Sequence, residues 1–179
     1  TRPVAGGTAT VAGDMPGGGV NHGYLTTTGT GGTITTVSNG NWSNGATWAG
    51  GFVPSCNDNV VIAHTVNVDF AVSLNDVTIN SGGNMIADNA VTVAGNFQMA
   101  GTAIYTHNTT TAAAATIFNG TENFAPTSKI IISKWSSYAI PLATGVTGDF
   151  GAIEINTTGG WNQSGLFAPA RIKGTLTIN

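Results

Sequence analysis

From Val60 onward, apolar residues recur at alternate positions in short groups. Val60/Ile62, Val66/Val68, Val77/Ile79, Val91/Val93 and Phe97/Met99 each stand two apart, mostly with a polar residue between them. A period of two is that of an extended strand, whose successive side chains point to opposite faces, so each pair predicts one short half-buried strand. Asn75-Asp76, Ser81-Gly82-Gly83-Asn84, Asp88-Asn89 and Ala94-Gly95-Asn96 separate the pairs. These residues tolerate turn and left-handed backbone, and such turns recur at roughly ten-residue intervals. The pattern weakens between Thr106 and Ala125 and resumes with Ile130/Ile132, Ile153/Ile155 and Leu176/Ile178. A loop or irregular coil is expected in the gap. Its one helix-prone run, Ala112 to Ala115, is flanked by threonines and too short to nucleate a helix.

This rhythm fits either a stacked parallel β-helix or an antiparallel β-sandwich. The β-helix is favoured because small residues and Asn crowd the turns, charge is scarce along the whole length, and the last strand stops as if another coil should follow. Trp42, Trp48, a Gly/Pro turn and Asp58 precede the first alternating pair. Two indoles there predict an N-terminal cap that shields the end of a narrow β core from water. Residues 41–179 are therefore expected to form the β-helix. Residues 1–40, rich in Gly and Thr, read as a linker or, through Thr33-Ile34-Thr35-Thr36-Val37, as a strand docked along a sheet edge. The opening Thr1-Arg2-Pro3 and the strand-like close are expected of a segment of something longer.

Composition narrows the partners. Asp, Glu, Lys and Arg make up 7% of 179 residues, so solubility must rest on hydroxyls and amides. Five basic residues and a net charge of -3 cannot neutralise a run of phosphates, which argues against nucleic acid and anionic membrane surfaces. Membrane insertion is not expected, since no apolar run reaches 18 residues. Cys56 is the single cysteine and reads as a small semi-buried side chain.

Trp42-Ser43, Thr47-Trp48, Gly51, Pro54, Asp58, Val60, Ile62, Val66 and Val68 form a pattern W-S-x-x-x-T-W, then Pro, then Asp-x-Val-x-Ile. With Val77-Thr78-Ile79-Asn80-Ser81-Gly82-Gly83, Phe118-Asn119-Gly120-Thr121 and Gly174-Thr175-Leu176-Thr177-Ile178-Asn179, it resembles modules of very large secreted adhesin-like surface proteins of Bacteroidetes-type bacteria. The resemblance implies a right-handed parallel β-helix, export across the outer membrane by type IX secretion, and roles in attachment or gliding. It implies no active site. Implied partners are neighbouring domains of the same long chain or other surface proteins, and glycans.

Chemistry-bearing residues are few. Trp135, Trp161 and Tyr138 are the candidates for stacking on sugar rings, since they fall outside the capping segment. His22, His64 and His107 are far apart, with no Cys or Glu at ligand spacing, so no zinc site is expected. Asp58, Asp69, Asp76 and Asp88 fall near turns, where stacking could bring two together around calcium, but the calcium-binding repeat is absent and no cofactor is expected. A polysaccharide-degrading site would need carboxylates beside a base, for which only Lys129, Lys134, Arg171, Lys173 and Glu154 offer material. The sequence therefore reads as a non-catalytic structural or adhesive module, with a carbohydrate-binding or carbohydrate-degrading β-helix as the alternative.

Overall fold

The computed structural model describes residues 9–11, 25–27, 31–56, 58–110, 122–134, 150–156 and 172–179. β1 (Ala9–Val11) and β2 (Leu25–Thr27) pair antiparallel, apart from the other strands. β3 (Thr33–Thr35) and β4 (Gly40–Asn41) come next, followed by two single-turn 3-10 segments, Gly45–Thr47 and Ala49–Gly51. Then come β5 (Asn59–Ile62), β6 (Thr65–Val68), β7 (Val72–Leu74), β8 (Val77–Ile79), β9 (Asn84–Ala87), β10 (Val91–Val93), β11 (Phe97–Met99) and β12 (Ile104–Asn108). The remaining strands are β13 (Glu122–Phe124), β14 (Lys129–Lys134), β15 (Ala152–Ile155) and β16 (Leu176–Ile178).

From β3 onward the strands wind into a parallel β-solenoid of about four turns, not a sandwich. One face is a five-stranded sheet in the order β13-β11-β8-β5-β3, a second is the seven-stranded sheet β16-β15-β14-β12-β9-β6-β4, and a third is the pair β10-β7. All three are parallel. The strand expected at Thr33 to Val37 is thus docked, with Ile34 opposite Val60.

The register explains why the alternation stacks. Ile34, Val60, Val77 and Phe97 align rung on rung, as do Ile62, Ile79, Met99 and Phe124. Across the seven-stranded sheet, Val66, Met85, Tyr105, Ile130 and Ile153 form one column, and Val68, Ala87, His107, Ile132 and Ile155 another. All of these side chains are buried. Removing each large apolar one from water contributes roughly 1.5–3 kcal/mol, and a slip of one residue would turn a whole rung outward.

One corner repeats with little change. The amides of Gly83, Ala103 and Ser128 donate to the carbonyls of Asn80, Ala100 and Ala125 at 2.8, 3.0 and 2.9 Å. Only small residues fit this inward position. A Cβ on Gly83 would lie 2.4 Å from the Ile62 carbonyl oxygen, in backbone that cannot move aside. Gly82 and Gly101 beside it adopt φ of +82° and +50°, the left-handed region that costs other residues steric strain.

Cys56 departs from expectation, being exposed. Its loop is closed by Asp58, whose Oδ2 accepts from the Ser55 amide and hydroxyl, both at 2.7 Å. The carboxylate takes the buried place and Cys56 is left on the outside.

Candidate functional site

At the N-terminal end the chain runs from β4 into Trp42, whose amide donates to the Asn67 carbonyl at 2.7 Å, and returns to Trp48, bridged antiparallel to Thr36; the two side chains are 0% and 1% exposed. Their rings meet edge to face with centroids 4.6 Å apart, and the Trp48 indole Nε1–H donates to the Trp42 carbonyl at 2.9 Å. The 3-10 turn between them starts from Asn44, whose side chain accepts from the Ala46 amide. Both indoles are consumed by packing, so neither offers a free face to a ligand. The cap expected from the sequence is present.

The sugar-stacking candidates Trp135, Tyr138 and Trp161 lie outside the described residues, as do His22 and Arg171. His64 is half-buried, its Nδ1 3.0 Å from the Thr36 hydroxyl of the preceding rung. That hydroxyl also accepts from the Ala63 amide at 2.9 Å, so the imidazole completes a contact between rungs.

The turn acids are each engaged by nearby donors. Asp69 accepts from the Ser43 amide at 3.0 Å and hydroxyl at 2.5 Å. Burial acts to raise its pKa, but these bonds outweigh burial and hold the carboxyl below its usual range. Asp76 accepts from the Asn96 amide at 2.7 Å, and Asp88 from Asn108 Nδ2 at 2.5 Å. Stacking therefore brings acids to amides and hydroxyls of adjacent rungs. Among the described residues no group of three or more His, Cys, Asp and Glu side chains is placed to hold a metal.

Of the late charged residues, Lys129 and Glu154 meet. They lie on adjacent strands β14 and β15, with Lys129 Nζ 3.0 Å from Glu154 Oε2. Asn156 Nδ2 donates to the other oxygen at 2.7 Å and its own side-chain oxygen accepts from Asn179. The Asn156 bond first, then Lys129, keeps the Glu154 carboxyl below its ordinary range. Lys134 and Lys173 are exposed.

The outer corners carry the most repeated polar chemistry. Asn75 Nδ2 donates to Asn59 Oδ1 at 2.7 Å, Ser81 and Thr102 hydroxyls lie 3.2 Å apart, and Thr127 Oγ1 donates to the Gly101 carbonyl at 2.7 Å. Each bond joins successive rungs, so the corners are stitched along the solenoid axis as well as across each turn.

The interior holds a polar pair that periodicity did not single out. Tyr105 and His107 point inward from β12, 0% and 2% exposed, with the phenol oxygen 3.3 Å from His107 Nδ1. Burial pushes the phenol up and the imidazole down to about 4, against a smaller opposing effect from the Thr109 backbone. The available signal was the spacing of Ala103, Tyr105 and His107, which keeps the period of two although His is not apolar.

No family model matches the sequence, and no curated protein or solved structure does either.

Proposed function

We propose that this chain is a non-catalytic structural and adhesive module of a secreted or cell-surface protein, serving as a stiff spacer and display surface. The observation that supports this reading is the continuity of the seven-stranded sheet, in which each rung is held to the next by a parallel ladder, a mostly apolar column and corner hydrogen bonds. In such a solenoid each coil touches only its neighbours, so load along the axis is shared by many equivalent contacts. Thr35, Val61, Thr78, Gln98 and Asn123 line the outward side of the five-stranded sheet and give it an uncharged surface on which four of the five residues can hydrogen-bond. Such a surface suits contact with neighbouring domains or glycans better than with nucleic acid.

Two measurements test the reading. Held by its ends in an optical trap, the module is expected to keep its length until a cooperative unzipping, whereas gradual extension at low force would refute the spacer. A glycan array together with an assay for released reducing ends addresses the other half. Turnover would replace the proposal with an enzyme, and tight stoichiometric retention of one glycan would make the module a lectin.

A further inference from the structure

His107 is the one histidine among the described residues that sits fully inside the column. Ala87 of β9 lies on one side of it in register and Ile132 of β14 on the other. Its polar contacts are the Tyr105 hydroxyl at Nδ1 and the backbone of Thr109. The roles in this contact depend on the tautomer: the phenol donates to a bare Nδ1 or accepts from Nδ1–H. Directly after His107 the pairing of β12 with β14 slips, Asn108 standing opposite Lys134. The ladder is thus irregular beside the buried imidazole.

Two of the ionisable groups on the surrounding elements are held by partners of their own. Asp88, after β9, accepts from Asn108; on β14, Lys129 bonds Glu154 and Lys134 is exposed. On the facing sheet Glu122 takes the backbone register of Phe97. A charged imidazole would therefore sit in a dry column beside aliphatic and aromatic side chains, a state avoided by opening to water.

We propose that His107 is an acid-sensitive latch: its protonation opens the pairing of β12 with β9 and β14, so that the solenoid yields at this rung while the capped N-terminal coils stay closed. The imidazole titrates near 6.5 when the rung is open and is pushed to about 4 when it is closed. The latch is fully closed above pH 6.5 and is progressively released as pH falls toward 4. A difference of that size amounts to about 300-fold in the opening equilibrium. The inference does not depend on the spacer reading.

Amide hydrogen exchange of the whole chain between pH 7 and pH 4, corrected for intrinsic rates, tests it. Protection across residues 104–108 is expected to fall by about 150-fold, and that of β5 and β6 far less. In His107→Leu the pH dependence at β12 should shrink below about 10-fold, whereas a merely structural role would shift protection equally at every pH. In Glu122→Gln it should persist. The NMR titration of the His107 ring in the unaltered chain needs no variant and is expected below pH 5. A ring midpoint at 6 or above, unchanged acid behaviour in His107→Leu, or loss of the dependence in Glu122→Gln alone would each overturn the latch.

Discussion

Replacing Ile79 by Asp puts a carboxyl group at the centre of a column whose neighbours are Ile62 and Met99, all three at most 1% exposed. Two costs arise. Loss of the buried isoleucine removes roughly 2–3 kcal/mol of transfer free energy. The carboxyl then enters the column most cheaply as the neutral acid, and protonating an aspartate of ordinary pKa at pH 7 costs about 4 kcal/mol. Together these approach the whole stability of an ordinary domain, about 5–15 kcal/mol. At pH 5 the protonation cost falls to about 1.5 kcal/mol, so the deficit relative to the unaltered chain should narrow by more than 2 kcal/mol. Thr78→Asp, one residue away on the outward face, should cost under about 1 kcal/mol at either pH. Urea unfolding followed by circular dichroism at both pH values reads all three proteins. Equal effects of the two substitutions at pH 7, or no narrowing for Ile79→Asp at pH 5, would refute the assignment of the inward face.

Removing half the lid by Trp48→Ala should lower stability by about 3–5 kcal/mol in thermal or urea melts, because it deletes a buried ring and leaves the Trp42 carbonyl without its indole donor. Gly83→Ala should cost about 1–3 kcal/mol by driving a methyl against the Ile62 carbonyl, while Gly32→Ala, where nothing lies within 4 Å, should leave the melting temperature nearly unchanged. Glu154→Gln should change stability by less than about 1 kcal/mol, since its ion pair with Lys129 is partly exposed. The Glu154 contribution is present above its ordinary pKa of 4.5 and fades as pH falls through its lowered value, so any difference between variant and parent should vanish in acid or in 1 M salt.

Much of the architecture is legible in the amino-acid sequence. Val77/Ile79 and Val91/Val93 declared their inward face by period alone, and Asn75-Asp76 and Ser81-Gly82-Gly83 declared the corners. Trp42 and Trp48 declared the cap, because two indoles ahead of a narrow core have few other places to bury their surface. Less was legible where inward positions carry unusual residues. Met85/Ala87 and Tyr105/His107 occupy the same columns as valines and isoleucines, yet small or polar side chains do not stand out in a hydrophobicity pattern.

Local alternation determined the strands, the faces they bury and the turns between them, since side-chain direction in an extended chain depends only on adjacent residues. Which rung lies on which was decided by the tertiary structure. The spacing between aligned residues changes from Val60 to Val77, to Phe97 and to Glu122, so no fixed period in the chain reveals the register. The contacts that carry chemistry, Tyr105 with His107 in the column and Lys129 with Glu154 across β14 and β15, follow from that register and the packing around it. Pairing between distant segments is settled by the combined fit of whole rungs, a property no single stretch of sequence holds.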